Sequence, residues 1–474
     1  MTVSGQLKKA ILNSLLGKYF LYVFQIVSVA VLSRLFSPED FGVIAAAQVF
    51  AMFFQMLATS GLGPAIVHQE TVPIKMRNGV FSFSLIIGLV LALIFLLCAK
   101  TLFNWFGFSD GLIVFYTLVP CVFFTSLSMT PLASLQKDTL FLTIARAEIL
   151  AEISAFLVCI AASFYWSGII ALALKFLLVP VVRFIFYYIF SAKTTIGRPV
   201  FGRDIDQILK LYNFAKYQVA FNILNFFSVN LDNILVAKYF GAASLGIYEK
   251  TYQVMRYPLL LFTFAITPAL QPVLTKYKKK PEVVFEAYFN VAQKLALVGV
   301  FSATSIYWNA ADIVFILFGD QWFATIPYLQ ILALSIPVRM VLSSTGGVYQ
   351  AFGETKTMFY CGVFGSAMNI SAIVYGVFSE NLQILCSLLV VAHTINFIQC
   401  FFMLFRTVFL NLNARKGLYL FLLVNIVMLN LFFDVQQVVN PSEIADSIIS
   451  ILVNSFEILI LTSLLFFTVK KLER

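Results

Sequence analysis

Three charged side chains lie deep inside long apolar segments of this 474-residue chain: Glu152, Arg256 and Arg339. A charge within the hydrocarbon of a membrane is costly, so such residues usually face a bundle interior or a water-filled cavity and mark a functional site. Guanidinium groups placed there could bind the oxygens of an anionic ligand, such as a phosphate, in bidentate fashion. We therefore predict that Arg256 and Arg339 contact an anionic substrate.

Further basic residues lie at shallower depth in the same kind of segment. Basic groups outnumber acidic ones there, which favours an anionic ligand over a cationic one. Besides the two arginines above, the predicted substrate-binding set contains Arg146, Lys175, Lys250 and Lys18. A simpler interpretation exists for Lys18 and Arg183, which are close enough to the predicted cytoplasmic face to extend their charges into water.

Two carboxylates, Glu148 and Glu152, are four residues apart and would share one face of a helix. They could pair with Lys175, or with an arginine from the C-terminal half, and so hold the protein closed as a gate. They could also take up and release protons and couple that exchange to transport. Gating and proton coupling therefore both stand as predictions for this pair.

Oxygen-bearing side chains suggest a third type of site. The segment 212–237 is rich in amides and contains Asp232, which with Asn369 and Thr394 could supply oxygen ligands to a monovalent cation. Hydrogen bonds between helices are the alternative explanation for such residues. The six cysteines stand singly in apolar segments, without partner spacing, so we predict packing roles for them, no metal site and no cofactor.

The elements that must position these residues are about fourteen long apolar segments. Because about 20 apolar residues cross a bilayer as a helix, and helices satisfy the backbone in lipid, an all-α polytopic membrane protein is predicted. Composition agrees, since 61% of residues are hydrophobic and only 11% are charged. The segments lie at about 11–33, 41–66, 79–99, 112–133, 140–163, 168–190, 212–237, 244–272, 287–308, 327–350, 357–377, 383–405, 417–433 and 447–469. Near their predicted outer ends lie four tryptophans, expected to be interfacial anchors: Trp105, Trp166, Trp308 and Trp322.

The positive charge is confined to alternate connections between these segments. One set carries twenty Lys and Arg residues, whereas the other carries only Arg34, Lys100 and Lys238. The positive-inside rule then places both termini in the cytoplasm and requires an even number of spans. The longest polar stretches, 191–211 and 273–286, are too short to form a soluble domain. A nucleic-acid partner is therefore not expected.

An internal repeat links the two halves of the chain. The sequence LSRLFSPEDFGVI at 32–44 matches VAKYFGAASLGIY at 236–248 with an offset of 204 residues. The matched pairs are Arg34 with Lys238, Phe36 with Phe240, and Gly42 with Gly246. Chance similarity between two turns is the alternative to a true repeat. A true repeat predicts two pseudo-symmetric six-helix lobes around a central cavity, the architecture of an alternating-access transporter. The predicted parts are an N-lobe (1–190), a cytoplasmic linker (191–211), a C-lobe (212–405) and two C-terminal helices (406–474).

The same two stretches resemble a known family. LDNILVAKYFGAASLGIYEKTYQV (231–254) and LSRLFSPEDFGVIAAAQVF (32–50) are similar to the seventh-to-eighth and first-to-second helix segments of Wzx-type polysaccharide flippases. These flippases belong to the multidrug/oligosaccharidyl-lipid/polysaccharide exporter superfamily. The resemblance implies a V-shaped fold of two lobes in the bacterial inner membrane. It also implies a substrate of undecaprenyl-pyrophosphate-linked oligosaccharide, moved to the periplasmic leaflet for O-antigen, capsule or exopolysaccharide synthesis. Membrane lipids and other polysaccharide-assembly proteins are the further partners expected.

Two other functions are compatible with a polytopic chain. An ion-coupled small-molecule antiporter of the multidrug-exporter type would be expected to have an acidic cavity, and the basic bias argues against it. A polysaccharide polymerase or ligase would be expected to carry a large outer loop or an acidic catalytic motif, and neither occurs here. The sequence also lacks a nucleophile–base pair and a Gly-rich phosphate loop, so we predict that the protein is not an enzyme.

Overall fold

A computed structural model of the protein describes residues 3–59, 66, 72–202, 206–409, 441 and 443–472. All regular secondary structure in these residues is helical. The helices are α1 (Val3–Leu35), α2 (Pro38–Thr59), α3 (Ile74–Phe106), α4 (Leu112–Thr117), α5 (Val119–Lys137), α6 (Phe141–Ser163), α7 (Gly168–Ser191), α8 (Asp206–Lys276), α9 (Pro281–Trp308), α10 (Ala310–Leu317), a 3₁₀ helix (Asp320–Thr325), α11 (Ile326–Ala333), α12 (Ile336–Phe352), α13 (Thr355–Phe378), α14 (Leu382–Thr407) and α15 (Ile444–Leu472).

Local sequence signals set several of these helix ends. Before α2, the Ser37 hydroxyl accepts a hydrogen bond from the Asp40 N–H at 3.2 Å. In return the Asp40 carboxylate accepts the Ser37 N–H at 3.0 Å, which completes a capping box. Pro38 occupies the first helical position, where its missing N–H has no cost. At the C-terminal end of α3, Gly107 takes a left-handed conformation (φ 77°) and terminates the helix.

Helices are present in all the predicted apolar segments except 417–433, which lies outside the described residues, and α2 follows the segment 41–66 as far as Thr59. Within the described part of the chain, eight helices are long and apolar enough to cross a membrane. A ninth results if the pair Asp320–Ala333 and Ile336–Phe352, bent by 52°, is one span. Helix α8 is two helices joined at Gly241, whose backbone is not helical (φ 83°, ψ 176°). The two predicted segments 212–237 and 244–272 therefore meet at a glycine.

The chain divides into two compact units, Met1–Gly246 and Ile247–Arg474. In the first unit, α6 packs against α7 and α1, and α5 packs against α3 and α7. Three fully buried alanines of α6, spaced by four residues, let neighbouring helices approach closely: Ala147, Ala151 and Ala155. Between α3 and α5, the Ser126 hydroxyl donates to the Ser84 carbonyl at 2.6 Å.

The second unit is built around α9, α12 and the α13–α14 hairpin. Within the hairpin, Gly365 lies against the side chain of Asn396, and Gly376 lies against the backbone of Leu385. Helix α15 is attached to α10 and the end of α9 by polar contacts. Asn454 donates to the Asn309 side chain at 2.9 Å, and Ser450 donates to the Asp312 carboxylate, also at 2.9 Å.

One tryptophan prediction is wrong. Trp105 and Trp166 are exposed, as interfacial anchors should be, but Trp322 is fully buried. The 3₁₀ helix that carries Trp322 folds back over the end of α10, and the indole packs on Phe318 with ring centroids 5.9 Å apart. An apolar residue close to a predicted span end can thus serve the core instead of the interface.

Candidate functional site

A cluster of charges occupies the interior of the first unit. Glu152 of α6 is buried, and its Oε1 lies 3.2 Å from Nη2 of Arg183 on α7. Gln25 of α1 donates its side-chain N–H to the same oxygen at 3.4 Å. Three helices therefore converge on one carboxylate, eleven residues from the start of α6. This depth is near the middle of a span, where an unpaired carboxylate would be costly.

A second cation acts on the same carboxylate. Lys175 is 8% exposed, and its charge interacts with Glu152 and with the thiol of Cys159. The ammonium also lies 5.4 Å from the ring centroid of Phe176. The buried carboxylate of Glu152 is therefore shared by two basic side chains, Arg183 and Lys175.

The other predicted carboxylate lies one helical turn nearer to the start of α6. Glu148 accepts a hydrogen bond from the Tyr187 hydroxyl at 3.3 Å, and its charge also acts on the hydroxyl of Tyr22. Glu148 therefore lies near tyrosine hydroxyls, whereas Glu152 lies near basic side chains. Arg146 is exposed, and the side chain of Lys18 lies outside the described residues.

In the second unit, Arg339 lacks a carboxylate partner among the described residues. It is half-buried in α12, and its Nη1 lies 3.7 Å from the thioether sulfur of Met255. The Ser335 hydroxyl contacts the same sulfur at 3.5 Å. The charge of Arg339 also acts on His393 of α14. A thioether is a weak acceptor, so the guanidinium retains most of its capacity to donate hydrogen bonds.

Arg256 follows Met255 on α8 and has a weak partner. Its Nη1 lies 3.6 Å from Oε1 of Glu249, and its side chain is 49% exposed. The guanidinium is also 5.8 Å from the ring centroid of Tyr252. An ion pair this exposed and this long contributes little to stability, so the arginine could exchange Glu249 for an anionic ligand.

Lys250 differs from the two arginines because it is buried. Its ammonium lies 5.3 Å from the ring centroid of Phe318 and 5.4 Å from that of Trp322. Contacts of this type stabilise a desolvated cation. Lys250 is therefore enclosed by aromatic rings, and its predicted contact with substrate stays a prediction.

The three residues of the predicted cation site lie in both units. Asp232, in the first unit, accepts the backbone N–H of Asn233 at 2.8 Å. In the second unit, Thr394 donates to the Val390 carbonyl at 2.9 Å, and the buried Oδ1 of Asn369 has no hydrogen-bond partner in the part of the chain that the structure describes. A cation site at these residues stays a prediction. Among the described residues, no group of three or more His, Cys, Asp or Glu side chains could hold a metal ion.

The pairing of a carboxylate with Lys175 is among the sequence predictions, but Arg183 and Met255 are not predicted as partners of the central charges. Arg183 was expected to extend toward the cytoplasm, whereas its guanidinium lies on Glu152. The depth of the two residues could have indicated this pair. Glu152 is eleven residues after the start of α6, and Arg183 is eight residues before the end of α7, the next helix, which runs in the opposite direction. At 1.5 Å per residue their depths differ by about 5 Å, which the long arginine side chain spans. Nothing in the sequence singled out Met255 as a partner of Arg339.

A sequence profile described as "Polysaccharide biosynthesis protein" matches residues 31–327, well over half of the chain. The chain belongs to this polysaccharide biosynthesis protein family. Proteins to which it is similar include the teichuronic acid biosynthesis protein TuaB of Bacillus subtilis, with 23% identity over 71% of this chain and 70% of TuaB. The lipopolysaccharide biosynthesis protein WzxC of Escherichia coli is 22% identical over 74% of this chain and 71% of WzxC. The succinoglycan biosynthesis transport protein ExoT of Rhizobium meliloti is 24% identical over 78% of this chain and 74% of ExoT.

Solved structures give the same result for the fold. The lipid II flippase MurJ in an inward closed conformation superposes with a TM-score of 0.73, at 15% identity, over 96% of this chain and 99% of MurJ. An inward-facing multidrug resistance MATE transporter of the MOP superfamily superposes with a TM-score of 0.61, at 13% identity, over 88% of this chain and 96% of the transporter. The predicted all-α transporter fold, and the resemblance to Wzx-type flippases drawn from residues 32–50 and 231–254, are therefore confirmed. The number of fourteen spans stays a prediction.

Proposed function

We propose that this protein moves an undecaprenyl-pyrophosphate-linked oligosaccharide from the cytoplasmic to the periplasmic leaflet of the bacterial inner membrane. The observation that carries the proposal is the state of Arg339, a half-buried guanidinium on an apolar helix whose direct partner is the sulfur of Met255. The relatives of this chain are named for the synthesis or transport of teichuronic acid, lipopolysaccharide and succinoglycan. A pyrophosphate headgroup matches such an arginine in charge and in hydrogen-bond geometry.

In this mechanism the headgroup enters from the cytoplasmic side while the polyprenyl tail stays in lipid. Arg339 donates to the pyrophosphate oxygens, and Arg256 exchanges Glu249 for the same headgroup. These charge-assisted bonds offset the cost of removing the pyrophosphate from water. The glycan is then released on the outer side by alternating access. The protein breaks no covalent bond in this process and therefore acts as a transporter, not as an enzyme.

The cluster around Glu152 serves as the switch in this proposal. Arg183 and Lys175 share the carboxylate of Glu152, so protonation of Glu152 would remove the negative charge that faces both of them. Because unbalanced charges at this depth are costly, protonation would favour a rearrangement of α6 and α7. This gives Glu152 a gating role in which a proton supplies the trigger.

The test measures flipping by purified protein in liposomes. A fluorescent polyprenyl-pyrophosphate oligosaccharide is placed in the membrane, and the fraction that an impermeant quencher reaches is followed with time. Loss of a hydrogen bond to a charged group costs about 1.5–3 kcal/mol, so Arg339→Ala should weaken substrate affinity about 10- to 150-fold. Arg339→Lys keeps the charge but not the bidentate geometry, and its effect should be intermediate.

Arg406→Ala is the matched control, because Arg406 is an exposed arginine at the end of α14 in the same unit. It should flip at the wild-type rate. Equal flipping by wild type, Arg339→Ala and Arg406→Ala would remove Arg339 from substrate binding. No flipping of any polyprenyl-pyrophosphate glycan by folded wild-type protein would overturn the proposed function itself.

A further inference from the structure

The two turns of the internal repeat touch each other in the structure. We call residues 32–44 the first turn and 236–248 the second turn. A Cβ atom at Gly42 would overlap the carbonyl oxygen of Ala242. A Cβ atom at Gly246 would likewise overlap the carbonyl oxygen of Pro38. Both glycines therefore lie against main-chain atoms of the opposite turn, with no room for a side chain.

These two contacts are equivalent under the repeat. Adding the offset of 204 to Pro38 gives Ala242, and adding it to Gly42 gives Gly246. The contact of Gly42 with Ala242 is thus the contact of Gly246 with Pro38 viewed from the other turn. A local two-fold axis passes between the turns. Chance similarity of two turns would not place the matched residues in reciprocal contact, so the repeat is structural.

The contact consists of weak interactions at close range. Main-chain atoms of small residues approach closely, as in helix pairs packed through glycine, and a Cα–H group of glycine can point at a carbonyl oxygen. The two basic residues of the repeat donate to main-chain carbonyls. Lys238 donates to the carbonyl of Trp105, and Arg34 donates to the carbonyl of Ala30 in its own helix.

Below the turns, toward the membrane centre, an apolar cluster continues the contact between α2 and α8. Val49, Phe226 and Ile234 are buried together, with Phe53 and Met56 packed against them. The ring of Phe53 lies 5.3 Å from that of Phe226. Phe53 is eleven residues beyond Gly42, which places it about 16 Å further along the helix. The contact is therefore deep and apolar, a combination that excludes water.

We propose that the paired turns form a glycine latch that closes the predicted outer end of the transport pathway. The latch consists of Pro38, Gly42, Ala242 and Gly246, with the Val49–Phe226–Ile234 cluster as its inner plug. Export to the outer leaflet requires the two turns to separate, and glycine at 42 and 246 makes full closure possible. This inference rests on the proposed function, because a latch has meaning only in a transporter.

The experiment measures whether the outer side opens when the latch is wedged. Met56→Cys supplies a reporter thiol beside the plug, and cells are treated with a membrane-impermeant maleimide that enters the periplasm. The wild-type protein, whose six cysteines are free and mostly buried, gives the background. In Gly42→Ala and Gly246→Ala, labelling of Cys at position 56 should rise about tenfold or more, since forcing a methyl group into a packed contact costs enough for that shift.

Two features separate a latch from general damage. Gly346→Ala and Gly362→Ala are matched controls, because an added Cβ there meets no atom within 4 Å, and labelling should stay at the reporter's basal rate. The double variant Gly42→Ala/Gly246→Ala should be labelled little faster than either single variant. Each single substitution already separates the same pair of turns, so the second has little left to open. Independent sites would instead add their effects. Basal labelling in both folded single variants, or additive effects in the double variant, would overturn the latch.

A second measurement covers the case in which the alanine variants do not fold. Glu39 and Ala243 are exposed residues related by the same offset of 204. Glu39→Cys/Ala243→Cys joined by a cleavable thiol cross-linker should stop surface glycan export, and cleavage of the linker should restore it. Export that continues in the cross-linked protein would also overturn the latch. Accessibility at position 56 needs no substrate, so a latch that opens while no glycan is flipped would refute the proposed function alone.

Discussion

Replacing Glu152 with glutamine should destabilise the first unit more than removing either of its cationic partners. The side chain of Glu152 is only 9% exposed, and that of Arg183 is 33% exposed. Glutamine keeps the shape but removes the charge, which leaves Arg183 and the buried Lys175 without compensation. Breaking a buried ion pair from one side costs about 3–5 kcal/mol. Because Arg183 is partly exposed, we expect the low end, about 3 kcal/mol.

The partner variants give the order that identifies the mechanism. Arg183→Gln leaves Glu152 balanced by Lys175, and the expected loss is about 1 kcal/mol. Lys175→Met replaces a buried basic side chain with an apolar one, while Arg183 still pairs with Glu152, and should be close to neutral. The double variant Glu152→Gln/Lys175→Met should therefore be more stable than Glu152→Gln alone by at least about 1 kcal/mol, a coupling typical of residues in one charge cluster.

Thermal unfolding in detergent measures this order. Five of the six free cysteines are buried, so a dye that fluoresces on reaction with thiols reports unfolding directly. If the first unit unfolds cooperatively, 3 kcal/mol corresponds to a fall in Tm of about 6 °C or more. A Tm for Glu152→Gln within about 1 °C of wild type would refute the charge-cluster account, as would a double variant no more stable than Glu152→Gln.

Two further predictions concern the supports of the site. Met255→Leu fills the same volume but removes the sulfur that contacts Arg339 and Ser335. Flipping assays should show substrate binding weakened by a few-fold, with an unchanged Tm. A wild-type affinity would exclude a positioning role for Met255. Asp40→Ala removes one half of the capping box that begins α2 and should lower the free energy of unfolding by about 1 kcal/mol. This loss should appear as a lower Tm, which Asp40→Asn should partly restore. No change in Tm would mean that Ser37 alone caps the helix.

The sequence predicted the membrane fold because its main signal is simple. Apolar segments long enough to cross a bilayer must be helices, and the structure has helices at all those that it describes. The repeat was detectable because glycine, phenylalanine and a basic residue recur at one offset. That Gly42 and Gly246 touch the opposite turn was not predicted, because an offset gives equivalence and not proximity.

The candidate site was only partly predictable. Depth along a helix identified Glu152, Arg256 and Arg339, because charges in apolar segments are rare and costly. Their partners depend on how each helix is rotated about its axis, and membrane helices that are apolar on most faces carry little information about rotation. For that reason Arg183 and Met255 became visible as partners only in the structure.

The most direct test of the proposed function uses cells that lack this protein. The lipid-linked oligosaccharides of those cells are isolated, and the leaflet that holds them is determined with an impermeant glycan-modifying enzyme added to the periplasmic side. We expect repeat units to accumulate in the cytoplasmic leaflet, surface glycan to be lost, and wild-type but not Arg339→Ala protein to restore export. Repeat units that accumulate in the periplasmic leaflet, accessible to the added enzyme, would show that translocation does not depend on this protein and would overturn the proposed function.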